Sequence, residues 1–229
     1  MAVFLDNISQ LTTRAHTYPM ASGLKVSLQV NNLSCYRDDR QLFSALNFKL
    51  ENGDILLLEG SNGSGKTSLL RILCGFREAD SGEIRWQGQM LADSDYFQHM
   101  AYVGHADGSK KELTVLENLR FAAALKAAGE YSIEQALGKV DLAGYDDNLL
   151  QTLSAGQKRR LSLARLLITA NQLWILDEPF TALDRQGVEL IESLMLEHLQ
   201  SGGMVILTSH QPLSLAFKQL QQINLDLCH

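Results

Sequence analysis

From Leu24 onward the chain first alternates. The segments "KVSLQV" and "SALNFKLENGD" place apolar residues at nearly every second position between turn residues, which predicts antiparallel strands at one edge of the fold. The pattern then changes to three short, almost unbroken apolar runs, "DILLLEG", "LWILDEP" and "GMVILTSH". Such runs suit parallel strands covered on both faces, and each passes directly into polar residues. Ligands of open α/β sheets bind at the carboxyl ends of the strands, so the three runs deliver their polar residues to one edge. Between the first two runs, residues 97–161 show helical periodicity in "VLENLRFAAALKAAG" and "SIEQALGKV", with no strongly apolar strand. This stretch is expected to form a mostly helical lobe inserted into an α/β core. Residues 1–23 carry little pattern and are expected either to form a loose tail or to precede a translation start at Met20. They lack the basic and apolar regions of a secretory signal.

Composition narrows the picture. At 229 residues and 45% hydrophobic content, residues 24–229 suffice for one large domain with a real core. A net charge of -6, from 20 basic and 26 acidic residues, offers no general attraction to phosphate backbones, so nucleic acid is not expected as a partner. Cys35, Cys74 and Cys228 are an odd number without metal-ligand or redox spacing, and are read as free thiols of a reducing compartment. No apolar run approaches the roughly 20 residues that span a bilayer, so the chain is expected to be soluble by itself.

Four motifs carry chemistry. Gly60, Ser61, Asn62, Gly63, Ser64, Gly65, Lys66 and Thr67 complete the pattern G-x-x-x-x-G-K-S/T, after a strand and before the helical run "TSLLRILCGF". Glycines there let successive N–H groups converge on phosphate oxygens, and the helix adds the positive end of its dipole. Lys66 would reach the β- and γ-phosphates of ATP, and the Thr67 hydroxyl would bind Mg²⁺. Asp177 suits the same Mg²⁺, and Glu178 suits the base that polarises the attacking water. At the third strand end, His210 suits a γ-phosphate sensor, although a lone histidine is more often structural. Finally, "LSAGQKRRLSLARLL" places Ser154, Ala155, Gly156 and Gln157 at a helix N-terminus, as a second phosphate site.

In this order, with "TALD" at Thr181–Asp184, the motifs resemble the ATP-binding cassette family over Leu24–Gln211. The resemblance implies an α/β P-loop NTPase (RecA-like) core with a parallel sheet, an antiparallel β edge subdomain and an inserted helical subdomain. It implies ATP hydrolysis with Mg²⁺ by a pair of copies, the Ser154–Gln157 segment of one closing over the nucleotide of the other. Asp184 would lie in the joining loop. Tyr36 would stack on adenine, unless it is a plain strand residue.

More narrowly, "EGSNGSGKTSLLRIL", "GEIRWQGQ", "YVGH", "LWILDEPFTALD" and "ILTSHQPL" resemble the cytochrome c biogenesis / haem exporter ATPase subfamily. That implies a peripheral position at the cytoplasmic face of the bacterial inner membrane, a multi-spanning membrane subunit as partner and haem-handling membrane proteins as further partners. The work done would be haem export or release of a haem-loaded chaperone. A transporter for another substrate, or a soluble non-transport cassette, are the alternatives. No haem-attachment signature is present, and Cys228 with His229 does not make one.

Two residues depart from the family pattern. Ala155 replaces a glycine, harmless provided its φ is negative. His105 stands where the family has a glutamine. Mg²⁺ prefers oxygen ligands, so His105 is read either as coupling nucleotide state to the membrane partner through a hydrogen bond or as a spacer.

Overall fold

The computed structural model describes residues 26–104, 108–214 and 217–228; the expectations for residues 1–23 and for His105 lie outside them. Strands β1 (Ser27–Arg37), β2 (Arg40–Glu51), β4 (Ser81–Trp86) and β5 (Gln89–Met90) form an antiparallel sheet in the order β2-β1-β4-β5. A parallel sheet of β3 (Ile55–Glu59), β6 (Met100–Val103), β7 (Leu173–Leu176), β8 (Met204–Thr208) and β9 (Leu220–Asn224) has the order β6-β7-β8-β3-β9. The helices are α1 (Lys66–Leu73), the single turn α2 (Tyr96–His99), α3 (Val115–Leu125), α4 (Ile133–Lys139), α5 (Ala155–Leu167) and α6 (Arg185–Gln200).

The unbroken apolar runs have the predicted cause. Successive side chains of a strand point to opposite faces, and both faces of the parallel sheet are covered. Ile55, Leu57, Trp174, Leu176, Val205 and Leu207 join a core with Leu161 of α5 and Ile191 of α6. Their neighbours Leu56, Leu58, Ile175 and Ile206 face Leu69 and Leu73 of α1 together with Leu28, Phe43 and Trp86 of the antiparallel sheet. The alternating strands therefore pack as a layer of their own over α1.

Helices α3, α4 and α5 each begin with a reciprocal capping box, at Thr114/Glu117, Ser132/Gln135 and Ser154/Gln157. Each box satisfies two backbone donors that a helix start otherwise leaves open.

The span 97–161 is not wholly helical. Residues Met100–Val103 form β6, paired with β7 from Met100↔Leu173 to Val103↔Leu176. With only four residues, two of them half-buried, it has too little contrast to register as a strand. The lobe proper comprises α3, α4 and the start of α5. Strand β9 was also not foreseen: "LQQIN" has no apolar run and is held by its register on β3. All three cysteines are free. Among the described residues, no helix is long and apolar enough to cross a membrane.

Candidate functional site

Strand β3 runs straight into the glycine-rich loop. Gly65 adopts φ +107, a left-handed value that favours glycine, and α1 starts on the next residue without a side-chain cap. Its first N–H groups are thereby left to an anion. Lys66 lies across the loop, its Nζ donating to the carbonyls of Gly60 at 2.6 Å and Ser61 at 3.2 Å. A cleft of about 900 Å³ opens here, lined by Asn62, Gly63, Gly65, Lys66, Thr67 and Ser68, with Asp177, Glu178 and His210 opposite.

The two carboxylates follow β7 immediately but have different surroundings. Asp177 is buried; its Oδ1 accepts from the Thr208 hydroxyl at 2.9 Å, and its Oδ2 lies 3.4 Å from both the Thr67 hydroxyl and the Tyr102 hydroxyl. Burial, and next the charge of Asp177, push Tyr102 up to about 12, so it remains a donor. Burial, with a smaller contribution from Asp177, also pushes the nearby Cys74 thiol up to about 12, which leaves it protonated and inert. The Thr67 and Asp177 oxygens are the hard donors that Mg²⁺ prefers, so the donor set fits that ion. Among the described residues no cluster of three or more His, Cys, Asp or Glu could hold a metal.

Glu178 is half-buried and sits at φ +50, uncommon for a side-chain-bearing residue. Its N–H donates to Thr208 Oγ1 at 2.9 Å, and its Oε1 lies 3.3 Å from His210 Nε2. This conformation aims the carboxylate into the cleft while Asp177 stays in the wall. Thr208, which bonds to both residues, and His210 come from the end of β8, as expected from the shared sheet edge.

Other expected residues lie apart. Ser154 and Gln157 cap α5: the Ser154 hydroxyl accepts from the Gln157 N–H at 3.2 Å, and Gln157 Oε1 accepts from the Ser154 N–H at 2.8 Å. Neither lines the cleft. Ala155 is helical with no positive φ, so its methyl is accommodated as expected. A Cβ at Gly156 would come within 3.2 Å of the Ala182 carbonyl, which ties the helix start to the 181–184 loop. Asp184 caps α6 through the Gly187 N–H at 2.8 Å. Tyr36 is 41% exposed and its hydroxyl donates to Gln41 at 3.0 Å; the cleft is lined instead by its neighbours from Arg37 to Arg40. Ser61, expected among the phosphate-binding residues, directs its amide and hydroxyl to Asp226, each at 2.8 Å.

One buried cation escaped the motif reading. Arg159 of α5 donates to four carbonyls: Gly104 at 2.7 Å, Asp177 and Glu178 at 2.8 Å, and Pro179 at 3.0 Å. It therefore fixes the backbone that carries both carboxylates and joins it to the end of β6. The signal was its place one turn before buried Leu163 on the inward face of α5.

The family model for "ABC transporter" matches residues 43–181. Curated relatives include the "Cytochrome c biogenesis ATP-binding export protein CcmA" of Photobacterium profundum, 46% identical over 213 residues, covering 86% of this chain and 99% of that one. The protein of the same description from Vibrio cholerae is 47% identical over 202 residues, with 86% and 98% covered. Among solved structures, an ATP-binding subunit of an ABC transporter superposes with a TM-score of 0.72 at 28% identity, covering 80% of this chain and 79% of that one. A nucleotide-free ATP-binding cassette from an ABC transporter, at 21% identity, shares the fold with a TM-score of 0.73 over 88% of each chain.

Proposed function

Because this chain belongs to the ABC transporter family, as one of its ATP-hydrolysing subunits, we propose that it energises a membrane complex of c-type cytochrome maturation, through haem export or release of a haem-loaded chaperone. The observation that carries this reading is the identity of 46% to a cytochrome c biogenesis export protein across 99% of that protein's length.

Lys66 leaves the Gly60 and Ser61 carbonyls to take the β- and γ-phosphates, which also receive the open amides of α1. Thr67 and Asp177 would hold Mg²⁺, which would supply neutralisation of the charge on the phosphates. Glu178 accepts a proton from the attacking water, and His210 orients the Glu178 carboxylate towards the terminal phosphate.

The chain acts as a pair. The Ser154 and Gln157 capping groups and the start of α5 lie outside the cleft that holds the chain's own nucleotide, which supports their service to a second copy. A multi-spanning subunit supplies the membrane anchor. A groove of about 270 Å³ beside β6, with Phe76, Phe97, Leu125 and Lys126 in its wall, supports its docking there. Phe76 and Leu125 are 68% and 69% exposed there, a cost that a partner would remove. For His105 the reading is coupling to that subunit by a hydrogen bond, with a spacer as the alternative. In this reading the ATPase subunits lie on the cytoplasmic face of the bacterial inner membrane.

The test is complementation of a strain deleted for this chain, scoring c-type cytochromes by haem staining and the membrane subunit by co-purification. Wild type restores the cytochromes and Lys66→Ala does not. Equal restoration by both would overturn the role of ATP, and unaltered cytochromes in the deletion strain would overturn the assignment to their maturation.

A further inference from the structure

The C-terminal strand β9 lies parallel beside β3, and Leu225, fully buried, anchors the turn that follows it. That turn puts Asp226 against the entrance of the phosphate loop. Its Oδ2 accepts from the Ser61 N–H and its Oδ1 from the Ser61 hydroxyl, both at 2.8 Å. The turn is itself tethered on either side: the Asp226 N–H donates to Asn224 Oδ1 at 3.0 Å, and the Cys228 carbonyl accepts from the Ser44 N–H of β2 at 2.8 Å. Gly60, at φ +140, completes the fit, since a Cβ there would come 2.6 Å from Ser64 Oγ and 3.6 Å from the Asp226 nitrogen.

Ser61 is thus held from two directions. Asp226 takes its N–H and hydroxyl, while Lys66 Nζ takes its carbonyl at 3.2 Å and that of Gly60 at 2.6 Å. The Lys66 contacts are temporary in any cycle that uses Lys66 on phosphate, because one ammonium group cannot keep both loop carbonyls while it neutralises the β- and γ-oxygens. When Lys66 departs, Asp226 is the remaining charged anchor of the loop entrance.

We propose that Asp226 is a positioning residue for nucleotide binding, which holds the entrance of the phosphate loop in its receiving shape while Lys66 transfers from loop carbonyls to phosphates. It acts on affinity and not on the chemical step, because the residue it holds, Ser61, stands at the loop entrance and does not line the cleft that Asp177, Glu178 and His210 face. The proposal rests on the nucleotide-binding reading of Lys66. A carboxylate near bound phosphates also repels them, so the preorganisation must exceed that repulsion; the rigid tethering of the turn and the two charge-assisted bonds favour this outcome.

The test uses the full chain, a fluorescent ATP or ADP analogue and steady-state ATP hydrolysis. Asp226→Ala is expected to weaken binding of both nucleotides and raise KM by about three- to tenfold, a hydrogen bond to a charged group discounted for exposure, with kcat at saturation unchanged. Asp226→Asn, which keeps one acceptor, loses less. Ser61→Ala, which keeps the backbone bond, loses less than Asp226→Ala, and the double variant is no worse than Asp226→Ala alone. If Asp226→Ala does not give a wild-type circular dichroism spectrum, the Asn variant and Ser61→Ala carry the same comparison. Unchanged affinity, tighter binding, a loss confined to kcat, or fully additive losses in the double variant would each overturn the proposal. Failure of wild type to bind ATP would instead overturn the reading of the loop.

Discussion

Replacing Arg159 by methionine removes the guanidinium while keeping most of the side chain's length. The Glu178 carbonyl retains a contact from the Thr181 N–H at 3.3 Å, but the carbonyls of Gly104, Asp177 and Pro179 lose the donors they had at 2.7, 2.8 and 3.0 Å. A buried acceptor deprived of its donor costs about 1–3 kcal/mol. Three such losses at one centre do not add fully, because a water molecule or a small backbone shift relieves part of them, so the expected total is about 3–5 kcal/mol. For a chain of this size each kcal/mol lowers Tm by about 2–4 °C, so differential scanning calorimetry should show a fall of about 6–20 °C. Hydrolysis should suffer separately, since the freed backbone carries Glu178; a displacement near 1 Å would cost about 10²-fold in kcat. Nucleotide affinity should change least, because the four carbonyls that Arg159 holds lie outside the phosphate loop. Arg160→Met is the control: among the described residues that guanidinium pairs with Asp141, at 3.4 Å, where one partner is 73% exposed, and its loss should cost under about 1 kcal/mol. If Arg159→Met melts no lower than Arg160→Met and retains wild-type kcat, Arg159 does not organise the site.

Glu178→Gln should bind ATP normally, lower kcat by about 10²- to 10⁴-fold and accumulate as an ATP-bound dimer on size-exclusion chromatography; a monomer with full turnover would refute the paired mechanism. Gly156→Val should weaken that dimer more than it weakens nucleotide binding, because even a Cβ comes within 3.2 Å of the Ala182 carbonyl, a contact that fluorescence binding and chromatography can separate. His198 is stacked on Trp174 with ring centroids 3.9 Å apart, and burial lowers its pKa from 6.5 to about 3. The unfolded chain therefore binds the extra proton first: the contribution of the neutral ring is complete above about pH 6.5 and declines by up to about 1.4 kcal/mol per unit as the pH falls towards 3. His198→Gln should lose stability less steeply between pH 6.5 and 5 in urea titrations, and an identical slope would refute this origin.

What the amino-acid sequence determined by itself was whatever needs only neighbours along the chain. The glycine-rich loop, the three capping boxes and the double-sided strands depend on φ freedom, on a side chain three residues away, and on a period of two, all present in short windows. The meeting of Thr67, Asp177, Glu178 and His210 was legible because three such strands end at one sheet edge. Tertiary structure decided the rest. Met100–Val103 becomes a strand only because β7 offers it a partner, and "LQQIN" only because β3 does. Arg159 is one of three consecutive basic residues of its helix, and only folding brings four carbonyls around it. Asp226 lies 165 residues from Ser61, and no periodicity or spacing joins them. A hydrogen bond between distant residues leaves no imprint on local sequence, because either partner alone is an ordinary polar residue, and only the packing of β9 against β3 gives the pair its meaning.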